Sequence, residues 1–269
     1  VSILSRIRLE GAQTKADVAL GLDTSLIAEA RATELFSPHG LDLSDLDVPG
    51  DFSDEVFVPY DHGFFAFVYD STRLAAPPSS MKELVEASPD ISLLVQDPRT
   101  SSPGLGLMLW MRKLYGDDAG TAWEKLGPRI VTVTQGWSEA YGLFQKGEAD
   151  MVLSYTTSPA YHITAEDETK YRAASFTEGH YQQIEVAARL ARSPHGDLAR
   201  DFLEFLVSEE AQAVIPTTQW MYPVRDVGAA LPASFSTLVA VETPLGFSPS
   251  EVRQNRQAWV AEWRDALSK

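Results

Sequence analysis

Residues 135–157 read Gln135-Gly136-Trp137-Ser138-Glu139-Ala140-Tyr141-Gly142-Leu143-Phe144-Gln145-Lys146-Gly147-Glu148-Ala149-Asp150-Met151-Val152-Leu153-Ser154-Tyr155-Thr156-Thr157. A loop at Gln135-Gly136 leads into a short helix from Trp137, a tight turn at Gly147 and a buried strand from Met151. Such strand–helix alternation builds an open α/β sheet. Ligands of these sheets sit beyond the carboxyl ends of the strands, near helix amino ends. Trp137 at the helix entrance and Tyr155 at the strand exit therefore stand where a small, flat ligand would lie.

The same alternation extends both ways along the chain. Residues 16–22 read as a strand, with Asp23-Thr24-Ser25 capping a helix that carries Leu26, Ile27 and Ala30. Phe57 to Tyr69 is a long, aromatic, β-rich run, and its Pro59 and Gly63 predict a bend near a site or a change of domain. Ile91 to Gln96 reads as a strand, followed by a buried helix to about Tyr115. Gln182 to Ala188 is a further strand. Ser193-Pro194 opens a helix with Leu198, Phe202, Phe205 and Leu206 on one face, and Ser208 caps the next turn. Ser248-Pro249-Ser250-Glu251 is a capping box before a helix containing Trp259 and Trp263. The pattern fits βαβ units and a mostly parallel sheet, repeated in two lobes.

Composition narrows the function. The 269 residues are 44% hydrophobic and 22% charged, and 22 basic against 38 acidic residues give a formal charge of -16. That balance argues against nucleic acid, whose phosphates would be repelled. It is compatible with a cationic ligand, although a solvated acidic surface is the stronger explanation. No apolar run approaches the roughly 18 residues of a membrane span. Cysteine is absent, and the five histidines lack metal-ligand spacing. There is no Gly-x-Ser-x-Gly elbow, no Walker loop, no GxGxxG after a strand and no nucleophile beside a base, so no enzyme is expected. The chain opens inside an amphipathic helix (Ile3, Leu4, Ile7) with neither cap nor signal peptide, and an upstream segment is expected to precede it.

Candidate ligand contacts fall into three groups. Trp137, Tyr155, Tyr161, Trp220 and Tyr222 lie at loop or strand ends beside turn-forming residues, where their faces would stack on a flat or cationic ligand. Asp61 and Asp23 are loop carboxylates able to balance a cation, Asp23 being explained as well by helix capping. Ser101 and Ser102 precede Pro103-Gly104 at a helix entrance, whose free N–H groups and positive dipole end would hold an anion.

These residues carry a resemblance. Phe67-Val68-Tyr69-Asp70 before Pro77-Pro78, Gly147-Glu148-Ala149-Asp150 before a strand, and Phe202 to Ala211 resemble the periplasmic substrate-binding proteins of ABC importers. More narrowly, the chain is similar to their thiamine-binding members. The runs concerned are Lys15-Ala16-Asp17-Val18, Gln96-Asp97-Pro98-Arg99-Thr100-Ser101, Gly136 to Phe144, Leu153 to His162, and Trp220-Met221-Tyr222-Pro223-Val224. The resemblance covers essentially the whole chain.

It implies a type II periplasmic binding fold: α/β, with mixed, mostly parallel sheets flanked by helices and a ligand cleft between two lobes. The first lobe would comprise residues 1–69 and 188–269, without the family's N-terminal strand, and the second 70–187, with hinge crossings near 69–71 and 184–188. It further implies non-catalytic, periplasmic binding of thiamine, its monophosphate or its diphosphate, and delivery to an ABC transporter permease. No cofactor, metal, nucleic acid or membrane insertion is expected, and a monomer is the default. Trp137, Tyr155, Tyr161 and Trp220 match the family's ligand-contacting aromatics and would flank the pyrimidine and the thiazolium cation. A receptor for another cationic solute such as a polyamine is the alternative within this class. A thiamine-degrading enzyme of the same fold is the alternative outside it, disfavoured because such enzymes use a cysteine nucleophile.

Overall fold

A computed structural model describes residues 1–86 and 91–268. The strands are β1 (Val18–Asp23), β2 (Val58–Asp70), β3 (Leu93–Gln96), β4 (Ile130–Thr134), β5 (Met151–Tyr155), β6 (Tyr171–Ala173), β7 (His180–Arg189), β8 (Tyr222–Pro223) and β9 (Pro244–Leu245). The helices are α1 (Ser2–Glu10), α2 (Ile27–Arg31), α3 (Met81–Glu86), α4 (Ser102–Tyr115), α5 (Ala119–Leu126), α6 (Trp137–Gln145), α7 (Ser158–Ala165), α8 (Gly196–Leu206), α9 (Glu209–Gln212), α10 (Ile215–Thr218) and α11 (Pro249–Leu267). Among the described residues, no helix is long and apolar enough to cross a membrane.

The chain divides into two compact units. The first comprises Val1–Gly63, Gln183–Pro232 and Ser248–Arg253; the second comprises Phe64–Gln182, Ala233–Phe247 and Gln254–Lys269. The sequence-based boundaries, 1–69 with 188–269 and 70–187, give the second lobe a single continuous segment. In the structure, residues 233–247 and most of α11 belong to the second unit as well. The cause is long-range packing within it. Glu262 of α11 accepts hydrogen bonds from Arg112 of α4 at 3.1 Å and from the Gly120 N–H at 2.9 Å, and Trp259 packs on Phe247 at 5.1 Å between ring centroids.

In the first unit, β1 pairs antiparallel with β7, from Val18 opposite Arg189 to Asp23 opposite Glu185. The register slips between Leu20 and Leu22, where Gly21 adopts a φ of +94°. A glycine supplies that left-handed conformation without steric cost, and the extra residue makes the bulge. Leu4 and Ile7 of α1 are buried, as their helical spacing requires. Buried Gln212 ties three segments together. Its amide donates to the Tyr60 and Leu206 carbonyls, both at 2.9 Å, and its oxygen accepts from Val224 N–H at 2.8 Å. The buried stripe of α8 is Ala199, Leu203 and Leu206, whereas Leu198, Phe202 and Phe205 are exposed.

In the second unit the sheet runs from β2 through β5 and β3 to β4. β2 and β5 are antiparallel, with Phe65 opposite Tyr155, while β3 pairs parallel with both β4 and β5. The sheet is mixed, and its parallel part is narrower than the alternation of elements implies, because β2 enters from the first unit already running against its neighbours. Helices α4, α6 and α7 follow β3, β4 and β5. Val68, Leu94, Ala140, Tyr141, Phe144 and Val152 pack together between strands and helix. Close backbone approach at the start of α4 demands glycine. A Cβ on Gly104 would lie 2.4 Å from the Gln96 carbonyl oxygen, and one on Gly106 would lie 2.0 Å from the Phe65 ring. All five methionines, Met81, Met108, Met111, Met151 and Met221, are buried, at no more than 5% exposure.

Candidate functional site

Because β3, β4 and β5 are parallel, their carboxyl ends share one edge of the second unit, and a helix begins at each. This is where open α/β sheets hold ligands. Ser101 and Ser102 follow β3, Trp137 follows β4, Tyr155 ends β5, and Tyr161 lies in α7. The structure thus brings all the predicted residues of this unit to a single edge.

The loops at that edge are tied to one another. Asp97 N–H donates to the Thr134 carbonyl at 2.9 Å, and the Thr100 hydroxyl donates to the Gln135 carbonyl at 2.7 Å. Trp137 Nε1–H donates to Ser154 Oγ at 2.8 Å; Ser154 Oγ shares a 2.7 Å bond with Ser158 Oγ, which also accepts from Tyr155 N–H at 3.2 Å. Ser101 is the N-cap of α4, a helix of 14 residues, and its side chain makes no capping bond. A helix amino end of this kind presents unsatisfied N–H groups and positive potential.

Trp137 and Tyr161 are 38% and 36% exposed, whereas Tyr155, Phe247 and Trp259 are half-buried. Tyr155 packs on Phe65 with ring centroids 5.2 Å apart. Behind the exposed rings stands a buried ladder. Trp137 stacks on Tyr141 at 4.9 Å and Tyr141 on His162 at 5.8 Å, while His162 packs tilted against Tyr171 at 4.2 Å. Tyr141 Oη–H donates to His162 Nε2 at 2.8 Å, and His162 Nδ1–H donates to Glu166 Oε2 at 2.6 Å. Burial pushes the Tyr141 phenol well above its ordinary value, so it is a permanent donor. Hydrogen bonding from His162, and then from Tyr161, holds Glu166 below the usual carboxylate range. The sequence reading missed this support. Its signal was present in the four-residue step from His162 to Glu166 on one helix face.

In the first unit, Trp220 and Tyr222 are half-buried. Trp220 has a φ of +57°, the left-handed region that bulky residues avoid. Its N–H donates to the Ile215 carbonyl at 3.2 Å, closing α10 with a tryptophan where glycine is usual. Tyr222 pairs across β2 with His62, and their rings stack at 5.4 Å. Asp23 is buried and accepts from Ser25 N–H at 2.9 Å. That makes a local turn rather than the predicted helix cap, which falls to Leu26. Asp61 is fully buried, and no donor among the described residues reaches either carboxylate oxygen. It faces Glu185, which accepts from the Tyr60 hydroxyl and the Gln183 amide, each at 2.9 Å. Burial and the charge of Glu185 raise Asp61 well above the carboxylate range; burial, with Asp23 nearby, raises Glu185. A buried carboxyl beside a half-buried one retains a proton and attracts a cation or a donor.

A surface hollow of about 760 Å³ in the first unit is lined by residues drawn from the segment between Pro38 and Pro59, including His39 and Asp54, and by none of the predicted ligand residues. Its two central polar side chains are internally engaged. His39 Nε2 bonds the Asp54 carbonyl at 2.8 Å, and Asp54 accepts from Val56 and Phe57 N–H groups while pairing with Arg31. No group of histidine and acidic side chains among the described residues could hold a metal ion.

Residues 5–213 match the model of the family described as bacterial extracellular solute-binding protein. The chain belongs to that family. A thiamine-binding periplasmic protein of Escherichia coli is 56% identical over 269 residues, which are 100% of this chain and 82% of that protein. A thiamine-binding periplasmic protein of Haemophilus influenzae is 45% identical over 268 residues, 99% of this chain and 80% of that one. Among solved structures, a periplasmic thiamin binding protein superposes with a TM-score of 0.97 at 56% identity, over 100% of this chain and 84% of that chain. The apo ferric ion-binding protein A of Pasteurella haemolytica has a TM-score of 0.80 at 18% identity, over 98% and 86% of the two chains, which shows the shared fold alone.

Proposed function

We propose that this chain is a non-catalytic, periplasmic binding protein for thiamine and its phosphate esters that delivers them to an ABC importer permease. The observation carrying the reading is the 56% identity, over every residue of the chain, to a protein named for thiamine binding. The geometry of the units supports it. In the second unit, Trp137, Tyr155 and Tyr161 stand at the strand ends as stacking faces, and Ser101 and Ser102 at the amino end of α4 suit a hydroxyl or phosphate. In the first unit, Trp220 and Tyr222 offer further faces, and Asp61 and Asp23 suit the positive charge of a thiazolium. No cofactor takes part, and the protein acts as a monomer.

Calorimetric titration of thiamine, its monophosphate, its diphosphate and spermidine tests this. Thiamine or a phosphate ester should bind, spermidine should not displace it, and Trp137→Ala and Trp220→Ala should each weaken binding by about tenfold or more, the loss of one stacked cationic contact of roughly 1.4 kcal/mol. Tight spermidine binding with no response to thiamine would move the function to the polyamine receptors.

A further inference from the structure

The two exposed rings of the second unit, Trp137 and Tyr161, lead back to one carboxylate. Glu166 accepts from His162 Nδ1–H at 2.6 Å and its charge bears on the Tyr161 phenol, which it holds above its ordinary value; His162 passes the connection through Tyr141 to the stacked Trp137. His162 is fully buried and Tyr141 is 6% exposed, so these links cannot be made by water instead. The position of Glu166 is itself informative. It is the C-cap residue of α7, where the free carbonyls make the potential negative and a cationic side chain is favoured. Glu168 adds a second acid nearby, offset by its 3.3 Å pair with Lys170. Glu166 is itself exposed, its side chain at 38%, so its negative charge stands against the helix dipole at the outer end of a buried chain of donors. A phenol or imidazole that donates to a carboxylate becomes richer in electron density, and the attraction of an aromatic face for a cation grows with it.

We propose that Glu166 is a specificity-determining residue of the second unit: it fixes Tyr161 and Trp137 from behind and biases both toward a cationic ligand over a neutral one of the same shape. The inference rests on the thiamine reading, whose ligand carries a thiazolium charge. Glu166 does not touch the ligand; it acts through the rings.

The test compares thiamine with its neutral isostere, in which a thiophene replaces the thiazolium ring, on wild type, Glu166→Gln and Glu166→Ala. Glutamine keeps an acceptor oxygen for His162 Nδ1–H but carries no charge. Glu166→Gln should lose about fivefold to tenfold in thiamine affinity, a change of roughly 1–1.4 kcal/mol, while binding the isostere within about twofold of wild type. Glu166→Ala should weaken both ligands. In ligand-free protein, proton–nitrogen correlation of the histidine rings should show His162 as the Nδ1–H tautomer in wild type and lose that signature in Glu166→Ala. Equal losses for both ligands in Glu166→Gln, or no loss in either, would overturn the charge preference. An unchanged His162 signature in Glu166→Ala would overturn the positioning. A wild type that binds neither ligand while His162 keeps its tautomer would overturn the thiamine reading, and the cation preference with it, and leave the ring positioning standing.

Discussion

The indole Nε1–H of Trp137 donates to the hydroxyl of Ser154 at 2.8 Å, and Ser154 is fully buried at the end of β5. An exposed ring is thereby oriented by an interior partner, and the two strands β4 and β5 are joined through it. In Ser154→Ala the indole keeps its stacking on Tyr141 but loses its anchor. Thiamine affinity is expected to fall by about threefold to tenfold, the worth of one hydrogen bond, with the fold retained. Titration reads the affinity, and the proton–nitrogen signal of the Trp137 indole, assigned by its loss in Trp137→Phe, reads the lost anchor; both unchanged would mean that stacking alone orients the ring.

Trp220 holds a left-handed backbone at a cost of about 1–2 kcal/mol for an L-residue. Trp220→Gly removes that strain together with the packing of a half-buried ring. The two changes offset to within about 1 kcal/mol, so the unliganded melting temperature should move by no more than about 2–4 °C. Thiamine binding should weaken by about tenfold or more. A large fall in thermal stability would show the ring to be structural.

Gly106 meets the Phe65 ring so closely that a methyl group has no space. Gly106→Ala is therefore expected to destabilise by about 3 kcal/mol or more, since overpacking against a strand side chain must displace α4 or β2. Urea unfolding measures it. A paired Phe65→Leu substitution should recover part of the loss.

Two adjacent groups on β2, Asp61 and His62, give opposite pH responses. Asp61 and Glu185 are raised by burial, so the folded state holds a proton that the unfolded chain releases. Their stabilising contribution is complete below about pH 4 and is lost as pH rises toward the folded values. Asp61→Asn should then raise the melting temperature at pH 7.5, and the gain should vanish near pH 4. His62 is lowered by burial to about 4, so its contribution is present above 6.5 and lost as pH falls toward 4. That loss amounts to about 3 kcal/mol, and His62→Phe, which keeps a ring against Tyr222, should flatten it. Melting curves from pH 4 to 8 separate the two effects.

What the sequence made legible was local. The quoted run yields α6, the Gly147 turn and β5 because helical period, turn residue and apolar strand succeed one another within about 20 residues. Ser101 and Trp137 could be placed at strand ends by the same means. The links that matter most were not legible, since Tyr141 reaches His162 across 21 positions and Ser154 reaches Trp137 across 17. Likewise, the capping box announces α11: Ser248 N–H donates to Glu251 at 3.0 Å, and Glu251 N–H donates back to the Ser248 hydroxyl at 3.3 Å. Which unit the helix joins is decided by Arg112, Gly120 and Phe247, far away in sequence. In α8, the periodicity of Leu198, Phe202 and Phe205 marks a face that the folded chain leaves exposed, while the smaller Ala199 turns inward with Leu203.

The interior placement of every methionine, in a chain without cysteine, has a chemical consequence. Peroxide or hypochlorite in an oxidising compartment finds no sulfur at the surface to attack. Sulfoxide formation at Met81, Met108, Met111, Met151 or Met221 must wait for the surrounding core to open, so the rate at which these thioethers are oxidised is a clock for the breathing of the native state.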